Sequence, residues 1–600
     1  MSTNLINKSD VKNAIKVNGF VGNLCAGALM RILGIDEVNK TYNNIRQYEG
    51  VEFATKLIEY LDVTVDYIPE ELEYLPKDQP FIVVSNHPFG AIDGIIMLSL
   101  LSKQRPDLKI LTNFILSYIP NLAEHFFPVN PFTDRPGMKS SLRGLKLAKE
   151  HLANGGVLGL FPSGEVSSNR NKDKVVKDID WQNSIIKLIK GAGVPVVPMY
   201  FDGGNSRLFH MMGAVNPYLR TARLPHELFN KRGKTIQVRL GRPMMPTEFD
   251  EFVDLGDLGK YLWNRTYALE ANVSQPTAAD SAPVAEVPAN FEPVAEPTDK
   301  EQLRGEIASI ASEKLFEVGR YECYFAKTEQ IPLLMREIAR TREITFRAVG
   351  EGTGKPLDTD KYDEYYRHLV LWDKDAQEFV GAYRLGVGDE IVPKYGVDGF
   401  YTNTLFKYNK EFKKYLKKAV ELGRSFVVPE YQKDPLALML LIKGLMYVAI
   451  KCPQVRYFIG PVSISSWYPM FYRSLMVHYL KNKHSIPEFE KYVVPVYPFV
   501  PDFHRVNVDS LVGTKVESLE RFDRFMLRMS GNKFRFPTLL KKYLKLNARI
   551  LAFNVDPDFN YCVDGLIMLD LLEVPKSEID TLSKEFEDKE GVYRRFGIEQ

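Results

Sequence analysis

Apolar and polar residues alternate in a pattern that predicts strands and helices in repetition over the first 270 residues. The segment 141–156 has apolar residues at helical spacing and then stops at a pair of glycines. The segment 181–193 reads as a second helix of this kind. Predicted strands are the apolar runs FIVVSN (81–86), VLGLF (157–161), VPVVPMYF (194–201) and TIQVRLG (235–241). Strand and helix in repetition predict an α/β sheet with helices on its faces.

The second half of the chain carries a different series of apolar segments. The runs EFVGAYRLGV (378–387), ELGRSFVV (421–428) and VRYFIGPVSISS (455–466) read as strands, and the second leads into a long apolar helix. Between the halves, residues 271–300 contain five Pro and seven Ala and offer little to bury. Such a composition is typical of a disordered linker. We therefore predict domains at 1–270 and 301–600, joined by a linker at 271–300.

Composition and charge exclude several classes of protein. The net charge is only +2, so no overall field favours nucleic acid as a partner. The four cysteines are far apart and form no CxxC pair, which favours a reducing compartment and no metal site. The first residues do not resemble a secretory signal. The longest apolar run, 20–35, is broken by Asn23 and Arg31, so we expect a buried or membrane-interface helix there and no transmembrane span.

The clearest candidate chemistry follows the predicted strand FIVVSN. His87 comes directly after Asn86, and Asp93 lies six residues further on. Ligands of α/β sheets bind where strands end, and a neutral imidazole beside a carboxylate can act as a general base toward a hydroxyl. The alternative is a surface histidine, with Asp93 capping the next helix. The stretch by itself leaves both open.

Three other segments of the first half place polar groups at predicted strand or helix ends. They are NPFTDRPGMKSS (130–141), FPSGEVSSNR (161–170) and VPVVPMYFDGGNSR (194–207). Turns and helix starts of this kind suit anionic groups, although each segment also has an ordinary structural interpretation.

Together these segments resemble the glycerolipid acyltransferase family typified by 1-acylglycerol-phosphate acyltransferases. The family's four blocks occur in order between residues 74 and 245. They are Asn86-His87 through Asp93, then Arg135, then Phe161-Pro162-x-Gly164, and finally Val194 through Pro198. The resemblance implies that His87 is the catalytic base for an acceptor hydroxyl and that Asp93 orients it. It also implies that Arg135 and the loop 161–165 bind the head group of the acceptor.

Two departures from this family bear on the acceptor. Five residues separate His87 from Asp93, where the family usually has four. Ser163 stands where the family usually has Glu, and Glu165 follows two places on. The altered loop argues against a standard glycerol-phosphate acceptor.

The second half resembles the GNAT-type acyltransferases that make ornithine lipids, with weaker similarity to acyl-homoserine-lactone synthases. The motifs lie between residues 320 and 575. They are Phe346-Arg347, Asp360, Asp363, His368-Leu369, Tyr383-Arg384-Leu385 and Glu421-Leu422-Gly423-Arg424. We interpret Glu421 as the catalytic polar group near the acceptor amine, and Arg347, Arg384 and Arg424 as substrate-binding. On one strand Glu421 and Arg424 would point to opposite faces unless a bulge intervenes.

The resemblance further implies that acyl carrier protein, rather than coenzyme A, donates the acyl group. Coenzyme A sites in GNAT domains use a glycine-rich loop at a helix start, but this chain has YQKDP (431–435) there, with Asp434 unfavourable to a diphosphate. The basic segments 407–418 and 541–549 are candidate faces for an acidic carrier protein or for anionic lipid. Both also fit ordinary solvated helix faces.

These resemblances predict an α/β glycerolipid-acyltransferase domain followed by a GNAT-like α+β domain. The implied function is synthesis of a phosphorus-free aminolipid by N-acylation of ornithine or glycine and then O-acylation of the lyso-lipid. No cofactor or metal is expected, and the enzyme is expected at the cytoplasmic face of the membrane. The alternatives are a lysophospholipid acyltransferase fused to a GNAT domain of other function, and a non-catalytic scaffold that binds carrier protein.

Overall fold

The computed structural model describes residues 4–7, 30–31, 33–113, 119–129, 138–169, 175–215, 217–273, 291–512, 517–584 and 588–598, with the backbone only at 113, 138–142, 214–215 and 217–219. These residues form two compact units. The first combines the described parts of Met1–Ala279 and Phe503–Arg535, and the second those of Asp280–Asp502 and Phe536–Gln600. The domain limits 1–270 and 301–600 stay a prediction. The segment Phe503–Arg535 falls within the predicted second domain but belongs to the first unit of the structure.

The first unit is built on a mixed sheet. Its described strands are β1 Thr64–Asp66, β2 Phe81–Ser85, β3 Leu108–Asn113, β4 Phe126–Val129, β5 Val157–Leu160, β6 Val196–Phe201 and β7 Thr235–Leu240. Their order is β1-β7-β6-β2-β5-β3-β4, and only the neighbours β6 and β7 are antiparallel. Strands β2 and β6 lie near the middle and are buried along their whole length. This explains why both read as continuous apolar runs.

Helices cover the sheet of the first unit. The described helices are Ile35–Ile45, Gly50–Tyr60, Ala91–Leu101, Met138–Ala153, Asn183–Ala192, Arg207–Val215, Pro217–Phe229, Leu255–Tyr267, Val508–Val512 and Leu519–Met529. The helix Asn183–Ala192 ends at Gly193, whose φ of 62° is left-handed and favours glycine. Two apolar clusters, one containing Val83 and one containing Val84, lie on opposite sides of β2, as expected for successive residues of one strand.

The second unit contains a mostly antiparallel sheet. Its described strands are β8 Lys314–Val318, β9 Tyr321–Lys327, β10 Arg367–Asp373, β11 Glu378–Val387, β12 Phe406–Tyr408, β13 Ala419–Val427, β14 Tyr457–Ile464, β15 Val493–Pro495, β16 Arg549–Asp556 and β17 Cys562–Asp570. The main sheet has the order β16-β17-β14-β13-β11-β10-β9-β8, and β12 pairs with β15 separately. Within the main sheet, β13 and β14 are the parallel neighbours.

The second unit also contains helices, several of which pack against this sheet. The described ones are Lys300–Ser309, Pro332–Arg347, Gly388–Tyr395, Thr402–Leu405, Lys413–Leu416, Pro435–Lys451, Met470–His484, Pro487–Glu490, Thr538–Lys545, Lys576–Leu582 and Lys589–Arg595. The long apolar helix predicted after ELGRSFVV is Pro435–Lys451, which packs on β9, β10 and β11. The strands predicted from 378, 421 and 455 are confirmed as β11, β13 and β14.

Two predicted segments lie largely outside the described residues. Most of the apolar run 20–35 does so, as do residues 274–290 of the predicted linker. Residues 291–299 are described, and here the Glu292 N–H donates to Gly354 O at 2.8 Å and the Ala295 N–H to Pro356 O at 3.1 Å. Within the described parts of the chain, the structure contains no helix long and apolar enough to cross a membrane.

Candidate active sites

The first candidate site is the pair His87 and Asp93 beyond the end of β2. The Nδ1 atom of His87 lies 2.9 Å from Asp93 Oδ2, and that oxygen also accepts the N–H groups of Phe89 at 3.0 Å and Gly90 at 3.1 Å. Asp93 is fully buried in the first turn of the helix Ala91–Leu101. The Asp93 carboxylate therefore caps the helix and also holds the imidazole. The helix cap and the partner of His87, which the sequence offered as alternatives for Asp93, are thus the same arrangement. The Nε2 atom is the ring nitrogen left to face a substrate.

Backbone contacts fix the loop that carries His87. Asn86 exchanges two 2.8 Å hydrogen bonds with the backbone of Phe201, which ties the end of β2 to the end of β6. The Ser167 N–H donates to His87 O at 2.8 Å. The His87 N–H donates to Asp178 Oδ1 at 3.2 Å. Three separate chain segments thus position the imidazole.

Asp178 is a residue of this site that the sequence interpretation did not identify. Its carboxylate also accepts from Ser167 Oγ at 2.5 Å and Trp181 Nε1 at 3.1 Å. Burial raises the pKa of Asp178, against the lowering effect of these hydrogen bonds. Because Asp178 is 91 residues from His87 in the chain, no local spacing pointed to it.

The loop 161–165 lies against the imidazole. The Phe161 ring is 4.3 Å from the His87 ring, centroid to centroid. Gly164 has a φ of 70°, a left-handed conformation that favours glycine, and a Cβ there would also displace the end of the Gln182 side chain. The Ser163 side chain is turned inward and donates to Glu165 O at 2.8 Å.

The other residues predicted for head-group binding have different surroundings. The Pro162 carbonyl accepts the Gln182 N–H at 3.0 Å, which anchors the turn. Glu165 pairs with Arg220 at 2.5 Å, and this buried arginine was not foreseen from the sequence. Arg135 lies outside the described residues. The roles of these side chains in binding an acceptor stay predictions.

The second candidate site lies where β13 and β14 separate. The parallel pairing runs from Ala419 with Tyr457 to Glu421 with Ile459 and then ends, although β13 continues to Val427 and β14 to Ile464. The pairing of the two strands thus ends directly after Glu421, and we call the unpaired region beyond it the β13–β14 cleft. Strand β13 also shifts register against β11 between Ala382 and Arg384.

A bulge in β13 places Arg424 beside this cleft. Arg424 has a φ of 47°, which is uncommon for a residue with a side chain. Its guanidinium lies 5.5 Å from the Tyr401 ring, and that of Arg384 lies 5.6 Å from the same ring. The sequence predicted that Glu421 and Arg424 could serve one site only if a bulge lay between them. The structure contains such a bulge.

Paired charges surround Arg384. Its Nη1 atom donates to Asp360 at 2.6 Å and to Asp363 at 3.1 Å, and Arg342 binds Asp363 with both terminal nitrogens. The neighbouring arginines lower the pKa of Asp363 despite its burial. Asp360 also lies 3.8 Å from Arg424 Nη2. Four residues of the motifs that carried the family resemblance thus form one ionic network, namely Asp360, Asp363, Arg384 and Arg424.

Glu421 is fully buried at the apex of the cleft. Tyr366 Oη donates to Glu421 Oε1 at 3.1 Å, and Thr402 donates to Oε2 through its N–H at 3.2 Å and its hydroxyl at 2.6 Å. Burial raises the pKa of Glu421, while these donors act to lower it. The side chain is therefore held rigidly at the point where the strands part.

Arg347 binds other groups of the protein, and His368 Nε2 lies 3.0 Å from Thr328 Oγ1. Arg347 donates to Glu292 O at 2.8 Å and to Lys355 O at 2.7 Å, and it pairs with Glu343 at 2.6 Å. These bonds hold residues 292 and 355 against the end of the helix Pro332–Arg347. His368 is fully buried with a pKa lowered to about 4 by that burial. A substrate-binding role for Arg347 stays a prediction.

Three carboxyl groups near Arg424 were not singled out in the sequence. Burial raises the pKa of Glu351 and that of Asp564 to about 7, and the pKa of Asp556 is also raised. The attraction of Arg424 acts in the opposite direction on all three. Asp564 accepts a 2.7 Å hydrogen bond from Ser463 on β14. Asp556 and Asp564 lie on the paired strands β16 and β17, whereas Glu351 is about 200 residues away in sequence, so its proximity to them has no signature in local spacing.

Comparison with known proteins also assigns the two halves of the chain to two different acyltransferase types. An acyltransferase family model matches residues 14–275, and an acetyltransferase (GNAT) domain model matches residues 341–442. A glycine N(alpha)-acyltransferase of Phocaeicola vulgatus is 32% identical over 291 residues, covering 45% of this chain and 86% of that protein. The one from Bacteroides thetaiotaomicron is 30% identical over 282 residues, covering 45% and 83%.

A second kind of relative is also found. A lyso-glycine lipid O-acyltransferase of Bacteroides thetaiotaomicron is 29% identical over 249 residues, covering 40% of this chain and 88% of that protein. These matches confirm both resemblances read from the sequence, the α/β acyltransferase fold and the GNAT-like fold. The chain is an acyltransferase with two transferase domains.

Proposed function

The chain belongs to the same family as the glycine N(alpha)-acyltransferases that match it, and we propose that it makes a phosphorus-free glycine lipid by two successive acyl transfers. One observation carries the proposal. The His87–Asp93 pair and the charged cleft beyond Glu421 occur in one chain, and its relatives are named for N-acylation of glycine and for O-acylation of the lyso-lipid that results.

The first step is N-acylation in the second unit. The α-amine of glycine attacks the carbonyl carbon of a 3-hydroxyacyl thioester, the N–C bond forms, and the C–S bond breaks. The amine proton leaves with the thiol. We propose that Glu421 is the polar group that lies near the glycine amine, because it is the buried carboxylate at the apex of the cleft. The Arg424 guanidinium is suited to the glycine carboxylate, and Arg384 holds the network behind it.

The second step is O-acylation in the first unit. His87 Nε2 accepts the proton of the 3-hydroxyl as its oxygen attacks a second acyl thioester. Asp93 keeps the proton on Nδ1 and stabilises the imidazolium that forms. The proton then passes to the departing thiolate. We assign Glu165, which is paired with Arg220, and the loop 161–165, whose Phe161 ring contacts the imidazole, to binding of the acceptor. The inward Ser163 fits a head group without phosphate.

We assign acyl carrier protein as the donor of the first step. At the start of the helix Pro435–Lys451, Asp434 accepts the Leu436 N–H at 2.9 Å, and Tyr321 Oη donates to the same carboxylate at 2.5 Å. A carboxylate therefore occupies the place where a helix start would bind diphosphate. A basic face with exposed side chains supports docking of an acidic protein. Its lysines are Lys407, Lys410, Lys413, Lys414, Lys417 and Lys418.

We further propose that the enzyme works at the cytoplasmic face of the membrane. Its product has two acyl chains and belongs in a bilayer, whereas its donor is a soluble carrier. The apolar run 20–35 is the candidate interfacial segment. Recovery of the protein wholly free of lipid vesicles at low salt would count against this placement.

Mass spectrometry of lipids from cells that express the full chain tests the two-step proposal. The wild type should produce N-(3-acyloxyacyl)glycine. The variant His87→Ala should accumulate N-(3-hydroxyacyl)glycine, because general-base loss lowers rate by about 10² to 10⁴-fold. Glu421→Gln should lose both species and regain the diacyl product when N-(3-hydroxyacyl)glycine is supplied. Altered phospholipid chains without any glycine lipid would instead identify a lysophospholipid acyltransferase.

A further inference from the structure

The segment Phe503–Arg535 has an unexpected place in the fold. In the sequence it lies between β15 and β16 of the second unit, yet it forms part of the first unit. Its helix Val508–Val512 packs against the helix Leu255–Tyr267, and the Asn507 N–H donates to Asn264 Oδ1 at 2.7 Å. Further along, Arg528 lies 3.4 Å from Glu248 Oε1. The first unit is thus assembled from two distant stretches of chain.

Arg505 makes a partly buried polar contact with the rest of the first unit. Its Nη1 atom donates to Tyr200 Oη at 2.7 Å and lies 3.2 Å from Glu270 Oε1. Tyr200 is fully buried in β6, one residue before Phe201. Burial raises the pKa of Tyr200, so its hydroxyl is neutral and accepts a hydrogen bond from the guanidinium. The arginine side chain is only 22% exposed.

Two continuous paths connect Tyr200 with the catalytic loop of the first unit. In one path, the rings of Tyr200 and Tyr267 make an edge-to-face contact with their centroids 5.6 Å apart. The Asp178 N–H in turn donates to Tyr267 Oη at 2.8 Å. Asp178 in turn accepts the His87 N–H. In the other, the backbone of the next residue, Phe201, is clamped by Asn86, the neighbour of His87.

We propose that Arg505 is a positioning residue for O-acyl transfer, and that the segment Phe503–Arg535 is an integral part of that site. Arg505 holds the carboxyl end of β6 and the Tyr267–Asp178 contact in the geometry that aims His87. Small displacements of a base reduce rate steeply, because catalysis depends on near-attack geometry. The proposal rests on the proposed O-acylation, and it means that the first 279 residues by themselves lack part of their own active site.

The test uses the full-length protein with N-(3-hydroxyacyl)glycine and acyl donor supplied, so that the first step is bypassed. Arg505→Ala should lower kcat for O-acylation about tenfold or more and leave KM and the N-acylation rate unchanged. Arg505→Lys should restore part of kcat, because it keeps a cationic donor. Tyr200→Phe should reproduce the loss, because it removes the accepting oxygen and keeps the ring. The matched control is Arg521→Ala, an exposed arginine of the same segment.

Several outcomes would overturn the proposal. One is an unchanged kcat in Arg505→Ala, and another is full activity in Tyr200→Phe. A third is an equal loss in Arg521→Ala, which would mean general damage to the segment rather than positioning. If the wild type acylates another lysolipid but not N-(3-hydroxyacyl)glycine, the proposed function fails. The comparison of Arg505 variants on that other lysolipid still tests the positioning role.

Discussion

Replacing Asp93 with Asn isolates the electrostatic part of the proposed O-acylation. An asparagine oxygen in the position of Asp93 Oδ2 can still accept from His87 Nδ1, Phe89 and Gly90, which lie within 3.1 Å. The amide NH₂ then occupies the position of Oδ1, which is buried and makes no hydrogen bond to the described residues. Asp93→Asn therefore preserves the tautomer and orientation of His87 while removing the negative charge.

The size of the effect follows from the distance between the charges. An imidazolium and a carboxylate about 4 Å apart attract each other by about 4 kcal/mol at an effective dielectric of 20. The His87 side chain is 19% exposed, so water screens part of this attraction, and about 3 kcal/mol is a reasonable estimate of the lost stabilisation. This corresponds to a decrease in kcat of roughly 10²-fold.

The assay is O-acylation of supplied N-(3-hydroxyacyl)glycine, measured for the wild type, Asp93→Asn and the control Asp180→Asn. Asp180 is an exposed aspartate two residues from Asp178 and should tolerate the same change. N-acylation by the same preparations reports whether the rest of the chain is intact. A kcat within threefold of wild type in Asp93→Asn would refute the electrostatic role assigned to this carboxylate.

Two further predictions concern pH and metals. The raised folded pKa of Asp564, about 7, means that its contribution to stability is complete below its unfolded pKa and is lost as pH rises through 7. Asp564→Asn should therefore flatten the decline in melting temperature between pH 5 and pH 8, and an unchanged slope would contradict this. Both acyl transfers should continue in excess EDTA, because they need a base and carbonyl polarisation rather than a metal. Activity lost to EDTA and restored by one metal would contradict that.

Local features of the sequence predicted the contact between His87 and Asp93, while their catalytic roles stay predictions. The pairing of His87 with Asp93 follows from local geometry, because a residue in the first turn of a helix points back at the loop that precedes it. The fully buried strands β2 and β6 were readable as continuous apolar runs. Gly164 was readable as a turn, and its positive φ agrees.

Features that depend on distant segments could not be predicted in this way. The bulge at Arg424 requires a left-handed φ in a residue that seldom adopts one, and the register shift against β11 allows it. Asp178, Arg220 and Asp564 reach their sites through the packing of segments far apart in sequence. The same holds for Arg505, whose partner Tyr200 lies 305 residues earlier.

The discontinuous first unit also sets the order of events during synthesis. Residues up to 273 leave the ribosome early, but the partner segment of Tyr200 and Asn264 follows about 230 residues later, roughly 12 to 46 s at 5–20 residues per second. During this interval the apolar ring of Tyr200 and the surface of the helix Leu255–Tyr267 lack the residues that cover them. The first unit therefore completes its fold only after most of the second unit has emerged, so a prematurely terminated chain cannot acquire the proposed O-acylation in full.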